Sequence, residues 1–153
     1  MEPFEQLFRH NAWANARVLE CLAGATHVHE VKAHNGQTIA EVMAHLGETE
    51  EAFRMVFRRA PDWPHPPSEV EAVRAYITEH DEGLIAFAAG LTAEEAAARV
   101  FVPWFETEVP IEQCLRQLLG HAAQHRAEAA WELARAGVDT GELDYIVWLL
   151  GQK

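Results

Sequence analysis

Four long stretches of the sequence repeat apolar residues every three or four positions, which is the spacing of one face of an α-helix. The predicted helices run from Pro3 to about Gly24, from Ile39 to about Ala60, from the residue after Ser68 to about Gly90, and from Ile111 to Ala136. Each helix has one apolar face to bury. Four such helices can bury their faces against one another, so the predicted fold class is all-α, a four-helix bundle.

Capping residues indicate where two of these helices begin. Thr38 followed by Glu41, and Ser68 followed by Glu71, have the spacing of a capping box, in which side chains bond the first backbone NH groups of a helix. Gly137 is placed to cap the C-terminal end of the fourth helix.

The connections between the helices differ in length and composition. Residues 25–37 show no sustained period and predict a loop, and the proline-rich residues 61–67 predict a stiff connection. After the third helix, Thr92–Glu95 predicts a short helical turn and Phe101–Phe105 an extended or hairpin-like segment. This connection is the longest, so we expect a long crossover between helices three and four. Residues 143–150 predict a short closing helix.

The composition is typical of one globular domain, here residues 1–153. Acidic residues outnumber basic ones by 24 to 12, and the net charge of −12 disfavours binding to nucleic acid. No stretch approaches the roughly 20 apolar residues of a membrane span, and no charged-then-apolar leader opens the chain. We therefore expect no membrane contact and a cytoplasmic location. Cys21 and Cys114 are expected to be reduced core residues.

A pair of histidines on the fourth helix carries the strongest chemical signal. His121 and His125 are four residues apart, so their imidazoles lie one above the other beside the apolar stripe. His45 lies at the edge of the stripe on the second helix. Histidines at the borders of two apolar faces can meet between helices and hold a metal ion. The pattern leaves an alternative open, in which these histidines are hydrogen-bonded at the rim of the bundle.

Other polar residues have more ordinary interpretations. Asn11 and Asn15 fall on the apolar stripe of the first helix, where buried amides need hydrogen-bond partners, so we expect them to pin a contact between helices. Glu48 and Glu51 are expected to project away from the core, and His80 to lie on a solvated face.

Several well-known site motifs do not occur in the sequence. Without Glu-x-x-His a carboxylate-bridged di-iron site is not supported, and without His-Glu-x-x-His neither is a zincin-type peptidase. Cys-x-x-Cys pairs, a P-loop, a dinucleotide fingerprint and a nucleophile elbow are also missing. The histidines therefore remain the main candidates for chemistry.

Four segments, 8–15 (FRHNAWAN), 44–48 (AHLGE), 121–126 (HAAQHR) and Asp144-Tyr145, occur in a characteristic order and spacing. In these segments the chain resembles the DinB/YfiT-like family of metal-dependent bundle proteins, which includes thiol S-transferases, and the resemblance covers essentially the whole chain. It implies a four-helix bundle with a ligand cavity that opens at a metal site, and it implies a homodimer.

The resemblance also implies ligands and a function. In the family, one histidine of the second helix and both histidines of the HxxxH segment bind a divalent metal; here these are His45, His121 and His125. Characterised members use a low-molecular-weight thiol such as bacillithiol, mycothiol or glutathione, in S-transfer or isomerisation. We therefore expect a metal-dependent transferase that activates a thiol and acts on a small-molecule substrate. A metal-dependent hydrolase and a non-catalytic bundle that binds a small molecule or partner are the alternatives.

Three neutral imidazoles leave a coordination position open, as in catalytic rather than structural metal sites. Such ligands suit zinc, nickel, copper or iron, so they do not select the metal. Glu128, Glu132 or Asn11 are candidates for orienting a ligand histidine. The third helix and the connections 61–67 and 99–110 match nothing in the family, and we expect them to shape substrate choice.

Overall fold

The computed structural model describes residues 2–58 and 64–152, and the predicted all-α four-helix bundle is confirmed. Its long helices are α1 (Glu2–Gly24), α2 (Ile39–Arg58), α3 (Val70–Gly90) and α5 (Ile111–Arg135), and its short ones α4 (Ala93–Ala97) and α6 (Tyr145–Gly151). An antiparallel hairpin, β1 (Arg99–Val102) and β2 (Thr107–Pro110), lies between α4 and α5, and 3₁₀ turns cover Thr26–Val28 and Pro103–Phe105. The predicted end of the second helix near Ala60, and residues 61–63, lie outside the described residues. Within the described part of the chain, no helix is both long and apolar enough to cross a membrane.

Helices α1 and α2 lie diagonally across the bundle, and so do α3 and α5, whereas α2 and α3 are neighbours. α1 packs against α3 and α5, and α2 packs against the same two helices, whereas α1 and α2 make little contact with each other. The predicted long crossover between helices three and four is confirmed, and the connection from α1 to α2 is a second crossover. As a result α2 and α5, which carry the candidate histidines, lie side by side.

The helix starts were predicted with mixed success. Thr38 and Glu41 form the expected capping box. The Thr38 hydroxyl accepts a hydrogen bond from the backbone NH of Glu41 at 3.1 Å, and the Glu41 carboxylate accepts one from the backbone NH of Thr38 at 2.6 Å. The predicted box of Ser68 and Glu71 is wrong, because Glu69 occupies the N-cap of α3 and makes no side-chain cap bond. That start makes Glu71 the second rather than the third helical residue, a position from which it cannot complete the box.

Two apolar clusters fill the bundle. The first contains Leu22, Ile39, Leu46 and Leu133 and the second contains Phe8, Phe53, Leu84 and Leu115, with Cys21 packed against the first and Cys114 in the second. Both cysteines are free thiols, as predicted. Cys114 is a core residue, whereas Cys21 is half-buried at the edge of the first cluster. Between these clusters α1, α2 and α3 carry buried polar residues. Together with one residue of α5 they form a buried polar layer: Asn11, Asn15, Glu50, Asp81 and Arg126.

Hydrogen bonds across this layer join all four long helices. Arg126 donates to Oδ1 of Asn11 at 2.8 Å and to Oδ1 of Asn15 at 2.9 Å. Nδ2 of Asn11 donates to Oε1 of Glu50 at 3.2 Å and to Oδ1 of Asp81 at 3.0 Å. Nδ2 of Asn15 donates to the two oxygens of Asp81 at 3.2 and 3.0 Å. The prediction that the two asparagines pin a contact between helices is therefore confirmed.

The layer contains two acids and one base, so its charge is balanced when one acid holds a proton. Burial raises the pKa of Asp81 to about 7, and burial together with the charge of Asp81 raises the pKa of Glu50 well above its ordinary value. Asp81 accepts three hydrogen bonds, whereas Oε2 of Glu50 has no hydrogen-bond partner among the described residues. We conclude that Glu50 holds the proton and that Asp81 remains charged to balance Arg126.

The contact between α2 and α3 is close and partly polar. His80, predicted on a solvated face, is buried there, with Nδ1 at 2.6 Å from a guanidinium nitrogen of Arg54. Glu51, predicted to project away from the core, accepts a hydrogen bond from the hydroxyl of Tyr76. The Tyr76 ring lies over Gly47, where an added Cβ would come within 2.8 Å of the ring. Both predictions failed because the helices approach closely enough to cover the border of the apolar stripe.

We expect Asp81→Asn to destabilise the chain by about 3 to 5 kcal/mol, because it leaves the buried Arg126 without its charge partner. Glu50→Gln replaces a protonated acid with an uncharged amide of the same shape. It should therefore be nearly neutral near pH 5 and more stable than wild type at pH 7, where wild type must keep Glu50 protonated. The folded-state pKa of Glu50 lies above its ordinary value of 4.5, so wild-type stability should fall as pH rises past that value, and Glu50→Gln should flatten the fall. Urea unfolding between pH 5 and 9 measures all three effects. A large loss in Glu50→Gln at pH 7 would contradict our proton assignment.

Two glycine substitutions test the close approach of α2 and α3. We expect Gly47→Ala to destabilise the chain by about 1 to 3 kcal/mol, because its Cβ would collide with the Tyr76 ring. The matched control is Gly120→Ala on α5, where an added Cβ meets nothing within 4 Å and should stabilise the helix by up to about 1 kcal/mol. Thermal unfolding of the two variants measures the difference; equal effects would contradict the packing.

Candidate metal centre

The three candidate histidines converge between two neighbouring helices. His45 lies on α2 and His121 and His125 on α5, and one ring nitrogen of each lies within 4.8 Å of one ring nitrogen of the others. The ring centroids of the α5 pair are 4.4 Å apart, and those of His45 lie 5.3 Å from His121 and 5.0 Å from His125. The structure thus brings together the three residues that the pattern and the resemblance selected. That they bind a metal stays a prediction.

Two of the three imidazoles are backed by a carboxylate three residues further along the same helix. Nδ1 of His45 lies 2.9 Å from Oε2 of Glu48, and Nδ1 of His125 lies 3.4 Å from Oε2 of Glu128. The His45 contact is a hydrogen bond, which favours the tautomer with the proton on Nδ1 and leaves the lone pair of Nε2 available to a ligand. The longer His125 contact lacks hydrogen-bond geometry among the described residues. Glu48 was predicted to project away from the core. At three residues' spacing it shares the face of His45, which is the signal that could have identified it.

A hydroxyl holds the third imidazole. Thr49 Oγ1 donates to the backbone oxygen of His45 at 3.1 Å and lies 3.0 Å from Nε2 of His121. Because the only hydroxyl proton is directed at that backbone oxygen, Oγ1 acts as the acceptor toward His121. Thr49 therefore links α2 to α5 at the level of the triad.

Glu128 also reaches a fourth histidine. Its Oε1 lies 3.1 Å from Nδ1 of His34, whose side chain is 81% exposed in the loop between α1 and α2. Glu128 thus stands between the surface residue His34 and the triad residue His125. His34 falls in the predicted loop of residues 25–37, and no local sequence pattern could have paired it with a residue so distant along the chain.

The other residues considered as supports of the triad have different partners. Glu132 forms an ion pair with Arg135 at 3.2 Å, and Asn11 belongs to the buried polar layer. Of the candidates named from the sequence, Glu128 is the one that the structure places against a triad histidine.

Burial keeps the α5 histidines uncharged. Burial, together with the neighbouring imidazoles of His125 and His45, lowers the pKa of His121 to about 4. Burial and His45 also lower the pKa of His125, although Glu128 opposes the shift. Both rings are therefore neutral at pH 7, the form in which imidazole binds a metal ion.

A pocket of about 330 Å³ opens beside the triad. It is lined by His45, Glu48, Thr49, Ala52 and Trp104. Trp104 comes from the turn of the β1–β2 hairpin, within the connection that we expected to shape substrate choice. A small molecule in this pocket would therefore reach both the triad and a residue of the crossover.

Comparisons with known proteins agree with this architecture. A family model described as the DinB superfamily matches residues 1–129. No curated protein sequence matches the chain. Among solved structures, a DinB-like protein from Bacillus cereus is similar with a TM-score of 0.76 and 15% identity, over 93% of this chain and 96% of that one. YfiT from Bacillus subtilis is similar with a TM-score of 0.74 and 14% identity, over 91% of this chain and 90% of that one. It is described as a probable metal-dependent hydrolase with an unusual four-helix bundle topology. At these identities the structural matches show the fold.

We expect His121 in the metal-free chain to titrate near pH 4 rather than 6.5, followed through its ring-proton NMR signal. Because the folded-state pKa is the lower one, its contribution to stability is complete above pH 6.5 and is lost as pH falls toward 4. Urea unfolding across that range should show a smaller loss in His121→Asn, and the same loss as wild type in the exposed control His27→Asn. Titration of His121 near 6.5 would show a solvated ring and contradict the buried triad.

Proposed function

The chain belongs to the DinB superfamily, and we propose that it is a divalent-metal-dependent enzyme whose ion is held by His45, His121 and His125. The observation that carries the proposal is the convergence of three imidazole nitrogens within 4.8 Å of one another beside an open pocket. The donor set suits such an ion: the α5 histidines are neutral at pH 7, and two of the rings have a carboxylate at Nδ1.

We further propose that the reaction is the transfer of a low-molecular-weight thiol to a small electrophile. When bound, a divalent ion in an all-imidazole site favours thiolate over thiol and so supplies a nucleophile at neutral pH. The triad donors are consistent with zinc, nickel, copper or iron. The thiol co-substrate is the part of the proposal that rests on the family resemblance.

The chain's own residues contribute orientation and shape. Glu48 and Glu128 hold the rings of His45 and His125 in position, and Thr49 places a hydroxyl where the pocket meets the triad. Ala52 and Trp104 bound the pocket on its apolar side and exclude water from part of it. Each of these roles is independent of which nucleophile reacts.

A metal-dependent hydrolase is the second candidate. The description of YfiT as a probable metal-dependent hydrolase favours it, and a site of this kind can activate water as readily as a thiol. A bundle that only binds a small molecule is the third possibility, and metal-independent ligand binding without turnover would identify it. The homodimer that the resemblance implies also stays a prediction.

Metal uptake tests the site. We expect the purified chain, loaded with zinc or nickel and freed of excess ion, to hold about one ion per chain, and His45→Ala, His121→Ala and His125→Ala to lose it. Glu48→Gln and Glu128→Gln should weaken binding by about 10- to 100-fold in a competition with a chelator, as expected for groups that orient metal ligands. His27→Ala and Glu132→Gln, which remove a histidine and an acid that do not contact the triad, are the matched controls. Wild-type metal content in His125→Ala would refute the site.

Turnover separates the candidate functions. Conjugation of a thiol to monobromobimane that depends on metal and is lost in His125→Ala would support the transferase. Metal-dependent cleavage of esters or amides without thiol conjugation would instead support the hydrolase.

A further inference from the structure

The pocket beside the triad has two chemically different ends. One end carries the groups at the metal site, namely the imidazole of His45, the carboxylate of Glu48 and the hydroxyl of Thr49. Ala52 lies about one helical turn further along α2, and Trp104 packs on Phe53, the residue after Ala52, so these two form the other end. A molecule that reaches the triad with a polar group must therefore place the rest of its body against apolar surface.

The indole of Trp104 is a fixed wall. It meets Phe53 of the second apolar cluster edge-on, with the ring planes at 90° and the centroids 5.0 Å apart. This edge-to-face geometry is a favourable one for aromatic pairs and orients the indole with respect to α2. A planar, apolar body can therefore pack against the indole without first rearranging it.

The charges around the pocket oppose an anionic body. The five described residues that line it include no lysine or arginine, and the carboxylate of Glu48 already faces His45 at 2.9 Å. A carboxylate on the body of the substrate would lose water of hydration at the apolar end without gaining a cationic partner, which is unfavourable. It would also be repelled by Glu48 and by the net charge of −12 on the whole chain.

We propose that this pocket selects small molecules with an uncharged, apolar and planar body, and discriminates against those whose body carries a carboxylate. The polar group of the substrate lies at Thr49 and the triad, and its body lies against Ala52 and Trp104. The inference rests on the proposed function in one respect, that the triad is the reacting end of the pocket. Substrate choice is thus set by the hairpin and the chemistry by α2 and α5.

Two benzyl alcohols that differ at one position test the inference. Para-methylbenzyl alcohol and para-carboxybenzyl alcohol share the polar end and differ in the charge of the body. Each is titrated into the 153-residue chain, once as purified and once freed of metal, and the indole NH resonance of Trp104 is followed by NMR. We expect the methyl compound to bind at least about tenfold more tightly, the difference that one desolvated, unpaired carboxylate produces.

Variants test whether the pocket causes the difference in affinity between the two compounds. Trp104→Ala should weaken the methyl compound at least about tenfold, whereas Phe105→Ala, a neighbour in the hairpin that does not line the pocket, should leave its affinity unchanged. Glu48→Gln should improve the binding of the carboxyl compound, and this arm holds even if Trp104→Ala does not fold. Equal or tighter binding of the carboxyl compound to the wild-type chain would overturn the inference. A chain that discriminates as expected but takes up no metal would overturn the proposed function alone.

Discussion

One buried guanidinium, balanced by one buried carboxylate, fixes the four long helices relative to one another. Arg126 of α5 reaches both asparagines of α1, and these turn their amide groups to Asp81 of α3 and Glu50 of α2. Apolar clusters on either side supply much of the driving force for folding, but apolar contacts alone tolerate rotation and sliding of helices. Directional hydrogen bonds to a buried charge resist such rotation and sliding, because the loss of a partner leaves that charge unsatisfied.

The geometry of the candidate metal centre depends on this buried polar layer. Arg126 follows His125 directly on α5, and Glu50 follows Thr49 directly on α2, so the residues that lock the helices adjoin those that form the site. The triad itself adds few bonds between helices, chiefly that of Thr49 with His121. The imidazoles converge only if α2 and α5 are correctly placed, and the buried polar layer fixes the positions of these two helices. The site is free to present its ring nitrogens and its pocket to a ligand.

The features of the fold and of the site that follow from helical periodicity could be predicted from the sequence. The apolar stripe of each helix located its buried face. The position of His45 on the border of one stripe made a site shared with the HxxxH pair possible, and the family resemblance selected it. Contacts between side chains of different helices could not be predicted from periodicity. Glu50 and Asp81, for example, have the pattern of ordinary surface acids in the sequence but are buried in the packed bundle. The direction of the Glu48 side chain was predicted wrongly, because a side chain near the border of an apolar stripe can point either toward solvent or toward the neighbouring helix. The contribution of Trp104 depends on a hairpin that no helical pattern describes.

The order of helices around the bundle also bears on how the site is assembled. α2 and α5 are side by side in space, but α3, α4 and the hairpin separate them along the chain, and the contact of Thr49 with His121 closes a loop of 72 residues. Closing a loop of that length costs conformational entropy before any contact repays it. The triad therefore depends on a contact between residues distant along the chain, and the formation of single helices does not create it. The helices that carry the triad are held by the apolar clusters and the buried polar layer, so the ion that we propose would enter a site whose helices are already in place.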